Sequence, residues 1–305
     1  QALDTLQTKI MNLLAHTAWQ GWDKHEKGEH LTHCRDKRTV HFGYTDGLST
    51  VYINGIHSKP GGHAPGEMLL GHVNDAGFNA WAGLPDAAAR FFANGTFGAF
   101  RKMEQNVAAF YQYVKQAAKD LDTSTEYVKA KLCGRWADGR LATEKDEPPP
   151  AAVGCAGVGV VAGPADILPK DPDGYGCPLG AHLRRMNPRS DPVVPTRTRP
   201  LIRRGMPYGK SYESTSDEDK DHTKRGLLGL FFCASLEDQF EHLLSSWGER
   251  NPIGPNNKGN SSDPLIGGHG SPGVFDIPMR GGTAGGGLCG TGCGGVDRAA
   301  GAMLR

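Results

Sequence analysis

The chain has 305 residues, enough to bury one large core or two medium ones. Its 34 Lys and Arg stand against 33 Asp and Glu, and a net charge of +1 excludes a global field that recruits polyanions or membrane surfaces. No apolar run reaches the roughly 20 residues of a membrane helix, and the opening QALDTLQTKIMNLL lacks the basic start and continuous apolar core of a signal peptide. The expectation is a protein without a membrane partner, with the cytoplasm favoured.

Taken in order, Leu3, Leu6, Ile10, Leu13 and Leu14 recur at three-to-four spacing and predict a first helix. The polar run 21–36 carries His25, His30 and His33 with no regular element to fix them, so they read as surface histidines. Lys37 to Phe42 reads as a short strand leading into the glycine-flanked turn HFGYTDGLS, and SKPGGHAPG at 58–66 reads as a loop. Phe100, Met103, Val107, Phe110, Tyr111 and Val114 share one face of a predicted helix. A second helix starts at Thr123, where Thr-Ser-Thr-Glu forms a capping box with Glu126. The Pro-, Gly- and Ala-rich run 141–172 holds one candidate strand near Val158 to Val161. Gly226 to Ala234 reads as a buried strand, after which Ser235 caps a helix carrying Leu236, Phe240, Leu243, Leu244 and Trp247. Residues 250–274 read as a polar, glycine-rich loop. Strands and helices mixed without strict alternation favour an α+β fold.

Seven cysteines, an odd number scattered through the chain, suit reduced thiols better than a disulfide framework. Cys289 and Cys293 lie in a glycine-rich tail with no histidine at ligand spacing, which argues against a zinc site there.

Chemistry concentrates between Asp173 and Gly209, where one histidine, His182, stands among seven arginines. Such a cluster needs anionic partners. They can be protein carboxylates on a solvated face, nucleic-acid phosphates, or an anionic cofactor whose metal takes His182. Pro188, Pro192, Pro195 and Pro200 interrupt the cluster and no aromatics interleave it for base stacking, which weighs against nucleic acid. Haem, with two carboxylates and an iron that commonly takes a histidine, fits the third reading.

CPLGAHLRRMNPR (177–189) resembles the proximal-histidine motif of the dye-decolorizing peroxidases, and RPLIRRGMPYG (199–209) resembles their distal-arginine segment. Gly43, Asp46 and Gly47 form the family's GxxDG pattern. GEMLLGH, NGTFGAFRKMEQNVAAF, KLCGRWADG and RGLLGLFFCASLEDQFEHLLSSW come in the family's order, so the resemblance covers roughly residues 37–280. It implies two ferredoxin-like modules with antiparallel sheets and peripheral helices, with haem b between them. The expected division is a partial first module at 1–95, a second module with the proximal histidine at 96–280, and a glycine-rich tail at 281–305. Only 42 residues precede Gly43, so by this resemblance the chain looks N-terminally shortened and the first module incomplete.

The resemblance also implies roles. His182 would ligate iron, with a carboxylate on its other ring nitrogen to strengthen it as a donor; Glu237 is the candidate and Asp238 the second. Glu237 can equally be a first-turn acid stabilised by the helix dipole. Asp46 would move a proton between the peroxide oxygens, and Arg203 would keep it ionised, orient peroxide and stabilise developing charge. Arg184, Arg185 and Arg189 are candidates for the haem propionates, or for structural pairing. Trp136, Tyr208, Tyr212 and Trp247 are available as relays to donors too large for the pocket. The expected activity is reduction of hydrogen peroxide with oxidation of bulky phenolic or dye-like donors. A haem carrier or sensor without turnover is the alternative, and a nucleic-acid-binding protein the third.

Overall fold

Eight-residue complementarity between two distant segments organises the computed structural model. FGAFRKME at Phe97–Glu104 (β3) runs antiparallel to GLLGLFFC at Gly226–Cys233 (β5), in a register that pairs Phe97 with Cys233 and Glu104 with Gly226. Ile202–Tyr208 (β4) lines the other edge of β5, so the sheet order is β3-β5-β4. Besides Thr5, Thr8, Lys9, Asn12 and Gly28, the structure describes residues 31–33, 37–48, 51–58, 61–146, 171–187, 199–212, 223–249, 262–267, 275–278 and 287–288.

The sheet corrects one sequence expectation. Phe100 and Met103 belong to β3, not to a helix, because pairing with β5 outweighs an apolar spacing that helix and strand share. The helix starts later, at Val107–Asp120, where the Asn106 side chain accepts a hydrogen bond from the Ala109 N–H and caps it. The next helix is Thr125–Cys133. Its cap is Ser124, which accepts from the Tyr127 N–H; Glu126 does not close a capping box and instead pairs with the Lys129 ammonium at 3.1 Å.

These two helices carry the main core. Val107, Phe110, Val114 and Ala117 of the first pack with Tyr127, Val128, Ala130 and Leu132 of the second, all nearly inaccessible to solvent. Phe42 stacks on Phe110 with ring centroids 4.2 Å apart, which pins the segment after the hairpin of Leu31–His33 (β1) and Lys37–Thr39 (β2) against the core. The short pair Phe275–Asp276 (β6) and Gly287–Leu288 (β7) adds Phe275 to the same cluster, and Ile277 joins it just beyond β6.

Other expectations hold in the described residues. Lys37–Thr39 is a strand, Gly226–Cys233 is a strand, and Ser235 caps the next helical element by accepting from the Asp238 N–H. That element is π-helical, in consecutive segments Leu236–Glu241 and Leu243–Gly248, and its wider turns place Leu243 and Trp247 against Leu179, Met186 and Leu201. Of the first predicted helix, Thr5, Thr8, Lys9 and Asn12 are described and are helical. The predicted strand at 158–161, the tail cysteines, and the side chains of His25, His30 and His33 lie outside the described residues.

Candidate active site

His182 opens a short helix, His182–Met186, and three sets of contacts fix that helix. At its start the chain passes close to Gly134, the left-handed cap of Thr125–Cys133. A Cβ there would lie 2.9 Å from both the Cys177 Sγ and the Leu183 Cβ, so only glycine allows this approach. At its middle, Arg185 is fully buried and donates from Nε to the Trp247 carbonyl at 3.0 Å and from Nη2 to that of Gly248. Arg184 donates from Nη1 to the Cys177 carbonyl at 2.7 Å and lies 3.7 Å from Asp171.

The imidazole is ordered by a carboxylate. His182 Nδ1 lies 3.0 Å and 3.1 Å from the two oxygens of Asp263, whose side chain is wholly buried. Asp263 also accepts from the backbone N–H groups of Leu265 and Ile266, while its own N–H donates to the Gly248 carbonyl. Burial opposes ionisation of Asp263, but the facing His182 ring and its hydrogen bond, the Arg185 cation and the Leu265 N–H together hold its pKa below the ordinary carboxylate value. An ionised acceptor on Nδ1 requires the Nδ1–H form of the ring. The Nε2 lone pair is then presented away from the protein carboxylate, and among the described residues nothing hydrogen-bonds to it.

Asp263, and not Glu237, is therefore the partner of His182. Glu237 is exposed on the first turn of the helix that Ser235 caps, and the second candidate, Asp238, is occupied with Arg199. Arg184 and Arg185, the candidates for the haem propionates, are engaged by the protein itself. Both are buried and direct their N–H groups to backbone carbonyls, which a buried segment must satisfy in any case. Arg189 lies outside the described residues.

Asp46 and Arg203, expected to act together, lie within electrostatic reach of each other. Gly43, with φ of +83°, lets the chain turn where a side chain would meet the Tyr111 hydroxyl at 3.0 Å, and Gly47 repeats the left-handed turn at +75°. Between them, Tyr44 donates its hydroxyl to the Lys129 carbonyl and Thr45 donates its N–H and hydroxyl to that of Ala137. Asp46 is thus carried on a turn bolted to the helical core. One of its oxygens accepts the Gly47 N–H at 2.7 Å.

Arg203 stands on β4 opposite Phe231 of β5. Its side chain is solvent-accessible, yet displacement of water by surrounding protein is the main influence on its guanidinium, opposing protonation, with the Asp46 charge acting the other way. The guanidinium remains cationic. Two residues along the same face, Gly205 sits opposite Gly229; a Cβ on Gly205 would meet only the Leu228 oxygen, at 3.8 Å, whereas one on Gly229 would meet the Phe231 ring at 2.7 Å, so that ring packs over the strand beside Arg203.

A common scaffold connects His182 with Arg203. Gln239, fully buried in the π-helical segment, donates to the carbonyls of Glu67 and Pro200, the latter just before β4. The far end of the same segment supplies Trp247 and Gly248 to Arg185 and Asp263. One rigid element thus references both the histidine helix and the arginine strand.

No protein-family model matches the chain. Curated relatives do. It is 30% identical over 241 residues to a dye-decolorizing peroxidase from Exidia glandulosa, covering 74% of this chain and 46% of that one. It is 29% identical over 269 residues to a multifunctional dye peroxidase from Amycolatopsis, covering 79% and 53%. Among solved structures, a dye-decolorizing peroxidase in complex with 2,6-dimethoxyphenol superposes with a TM-score of 0.68 at 25% identity, over 87% of this chain and 60% of that one. The chain belongs to the dye-decolorizing peroxidase family. It spans about half the length of the curated relatives it matches. A fungal family member from Auricularia auricula-judae, at 22% identity and a TM-score of 0.64 over 90% of this chain, shares the α+β fold.

Sequence reasoning misses Asp263 because it lies 81 residues beyond His182, in a stretch that reads as a loop. The Asp-Pro step and the apolar Leu265 and Ile266 after it are the available signal: a loop that returns apolar residues to the core is anchored, and its acid is then buried.

Proposed function

We propose that this chain is the catalytic part of a haem-dependent peroxidase that reduces hydrogen peroxide and oxidises bulky phenolic or dye-like donors. The observation that carries the reading is the His182–Asp263 pair, in which a buried carboxylate fixes the Nδ1–H form of the ring and leaves Nε2 for a metal. The residues fit haem, here read as haem b: a histidine whose Nδ1 is engaged by a buried carboxylate, and on a second element a guanidinium on which the Asp46 charge acts. When bound, the haem supplies the iron and the redox equivalents of the reaction.

The protein's part is to hold and move protons. His182 would bind through Nε2 while Asp263 takes the Nδ1 proton in a hydrogen bond that increases the ring's donor strength. An Asp46 carboxylate oxygen would accept the proton of the nearer peroxide oxygen and return it to the farther one, so that water leaves. The Arg203 guanidinium would orient the peroxide and stabilise charge as its oxygen–oxygen bond breaks. The complex of a related enzyme with 2,6-dimethoxyphenol supports phenols as the donor class.

The test is a spectrum of the protein supplemented with haem, followed by one addition of peroxide. A Soret band is expected that shifts on peroxide addition. In Asp46→Asn and Arg203→Leu the band should persist while the peroxide response slows at least about a hundredfold. Unchanged peroxide kinetics in both variants would defeat the assignment, and haem binding with no peroxide response in the parent would move the reading to a haem carrier.

A further inference from the structure

Lys131 is the one fully buried lysine among the described residues. It lies on the Thr125–Cys133 helix and donates its ammonium to three backbone carbonyls: Thr143 at 2.7 Å, Tyr175 at 2.5 Å and Gly176 at 2.8 Å. The Tyr127 ring covers the cation, its centroid 4.6 Å away. An ammonium has three protons, and here each has an acceptor.

The acceptors are not scattered. Tyr175 and Gly176 belong to the turn that delivers the chain to the His182 helix, and the same turn is held from its other side. Asp171 accepts from the N–H groups of Gly176 and Cys177, at 3.1 Å and 2.7 Å, and Arg184 reaches back from the His182 helix to the Cys177 carbonyl and towards Asp171. Consecutive peptide groups are therefore gripped by a buried cation on their oxygens and a carboxylate on their nitrogens. Burial lowers the Lys131 ammonium to about 8, with Cys177, Asp171 and Glu144 pulling the other way, so it is mostly protonated at neutral pH.

A buried charge is costly, and a core position facing carbonyls could hold a neutral donor instead. The cation is justified by what it fixes. We propose that Lys131, with Asp171 as its counterpart, is a positioning residue for His182, clamping the 171–177 turn so that the imidazole starts its helix in line with Asp263. This rests on the peroxidase reading only in the use made of His182; the clamp itself is a property of the protein chain.

Hydrogen–deuterium exchange of the haem-free protein tests it. Lys131→Met keeps the stem's volume and removes the charge. It should raise exchange across 171–187 by about tenfold while the Val107–Asp120 helix stays near its parent rate, since a hydrogen bond to a charged group contributes roughly that factor. Asp171→Asn, at a partly accessible side chain, should give the same local pattern more weakly, and it decides alone if Lys131→Met does not fold. With haem added to Lys131→Met, the iron–imidazole band in the resonance Raman spectrum of the reduced protein should broaden or shift. Unchanged exchange in 171–187, or an equal rise in the Val107–Asp120 helix, would overturn the proposal. If the parent takes up no haem, the peroxidase reading falls, while the exchange comparison still judges the clamp.

Discussion

Replacing Asp263 by Asn tests the site at its most constrained point. In the folded protein one carboxylate oxygen accepts from the Leu265 and Ile266 N–H groups, at 2.8 Å and 3.0 Å, while the other faces His182 Nδ1 at 3.0 Å. Those two backbone donors are fixed, so an asparagine keeps its carbonyl oxygen towards them and turns its amide nitrogen towards the ring. Two N–H donors cannot face each other. The imidazole must accept at Nδ1 instead, which moves its proton to Nε2 and removes the lone pair that a metal would use. The variant also exchanges a charge-assisted hydrogen bond for a neutral one, a loss of about 1–2 kcal/mol in stability by the usual difference between the two. The expected outcome is a folded protein, destabilised by that amount in urea, whose nitrogen-15 spectrum shows His182 as the Nε2–H form and whose haem affinity falls at least about tenfold. If His182 stays in the Nδ1–H form and haem binds as before, the assignment of Asp263 is wrong.

Phe110→Ala should cost about 3–5 kcal/mol in chemical denaturation, because the ring is fully buried and carries the stack with Phe42 that anchors the Asp46 turn; a cost under about 1 kcal/mol would mean that turn is held otherwise. Burial raises the Cys133 and Cys177 thiols to about 12 and Cys233 to about 11, from an ordinary value of 9. Peptide mapping after iodoacetamide at pH 8 should find these three unmodified in the folded protein and modified in urea. The same groups set an alkaline limit. A thiol whose folded pKa is raised keeps its proton in the native state where the unfolded state has lost it, so stability is fully present below about pH 9 and is lost as pH rises towards 11 and 12. Tyr44 and Tyr111, raised by burial as well, add to that loss, and a stability maximum above pH 10 would contradict it.

How far the sequence foretells this site depends on whether a residue works through its neighbours in the chain. The GxxDG turn is legible because its glycines supply left-handed backbone at fixed offsets from Asp46, a local requirement that spacing records. Arg203 is singled out only through the resemblance of RPLIRRGMPYG to the family's distal-arginine segment; the strand Ile202–Tyr208 on which it lies is not among the predicted elements. The helix expected across 100–114 fails where local evidence is ambiguous. FGAFRKME satisfies either period, and only the partner strand 122 or more residues later decides it, as Glu104 against Gly226 shows.

The acids and arginines around His182 are harder, because their roles are set by who is buried beside them. Glu237 looks suitable from its position after a strand, yet a first-turn acid on an exposed helix end gains from the helix dipole and needs no imidazole. Arg184 and Arg185 look like anion ligands in a basic cluster; folding commits them to the carbonyls of Cys177, Trp247 and Gly248. The charge balance then explains Asp263. Burying Arg185 beside it places a fixed cation next to the carboxylate, which favours the ionised acid that the His182 proton requires. The arginines therefore serve the histidine, one by ionising its acceptor and one by tying down the turn that carries it.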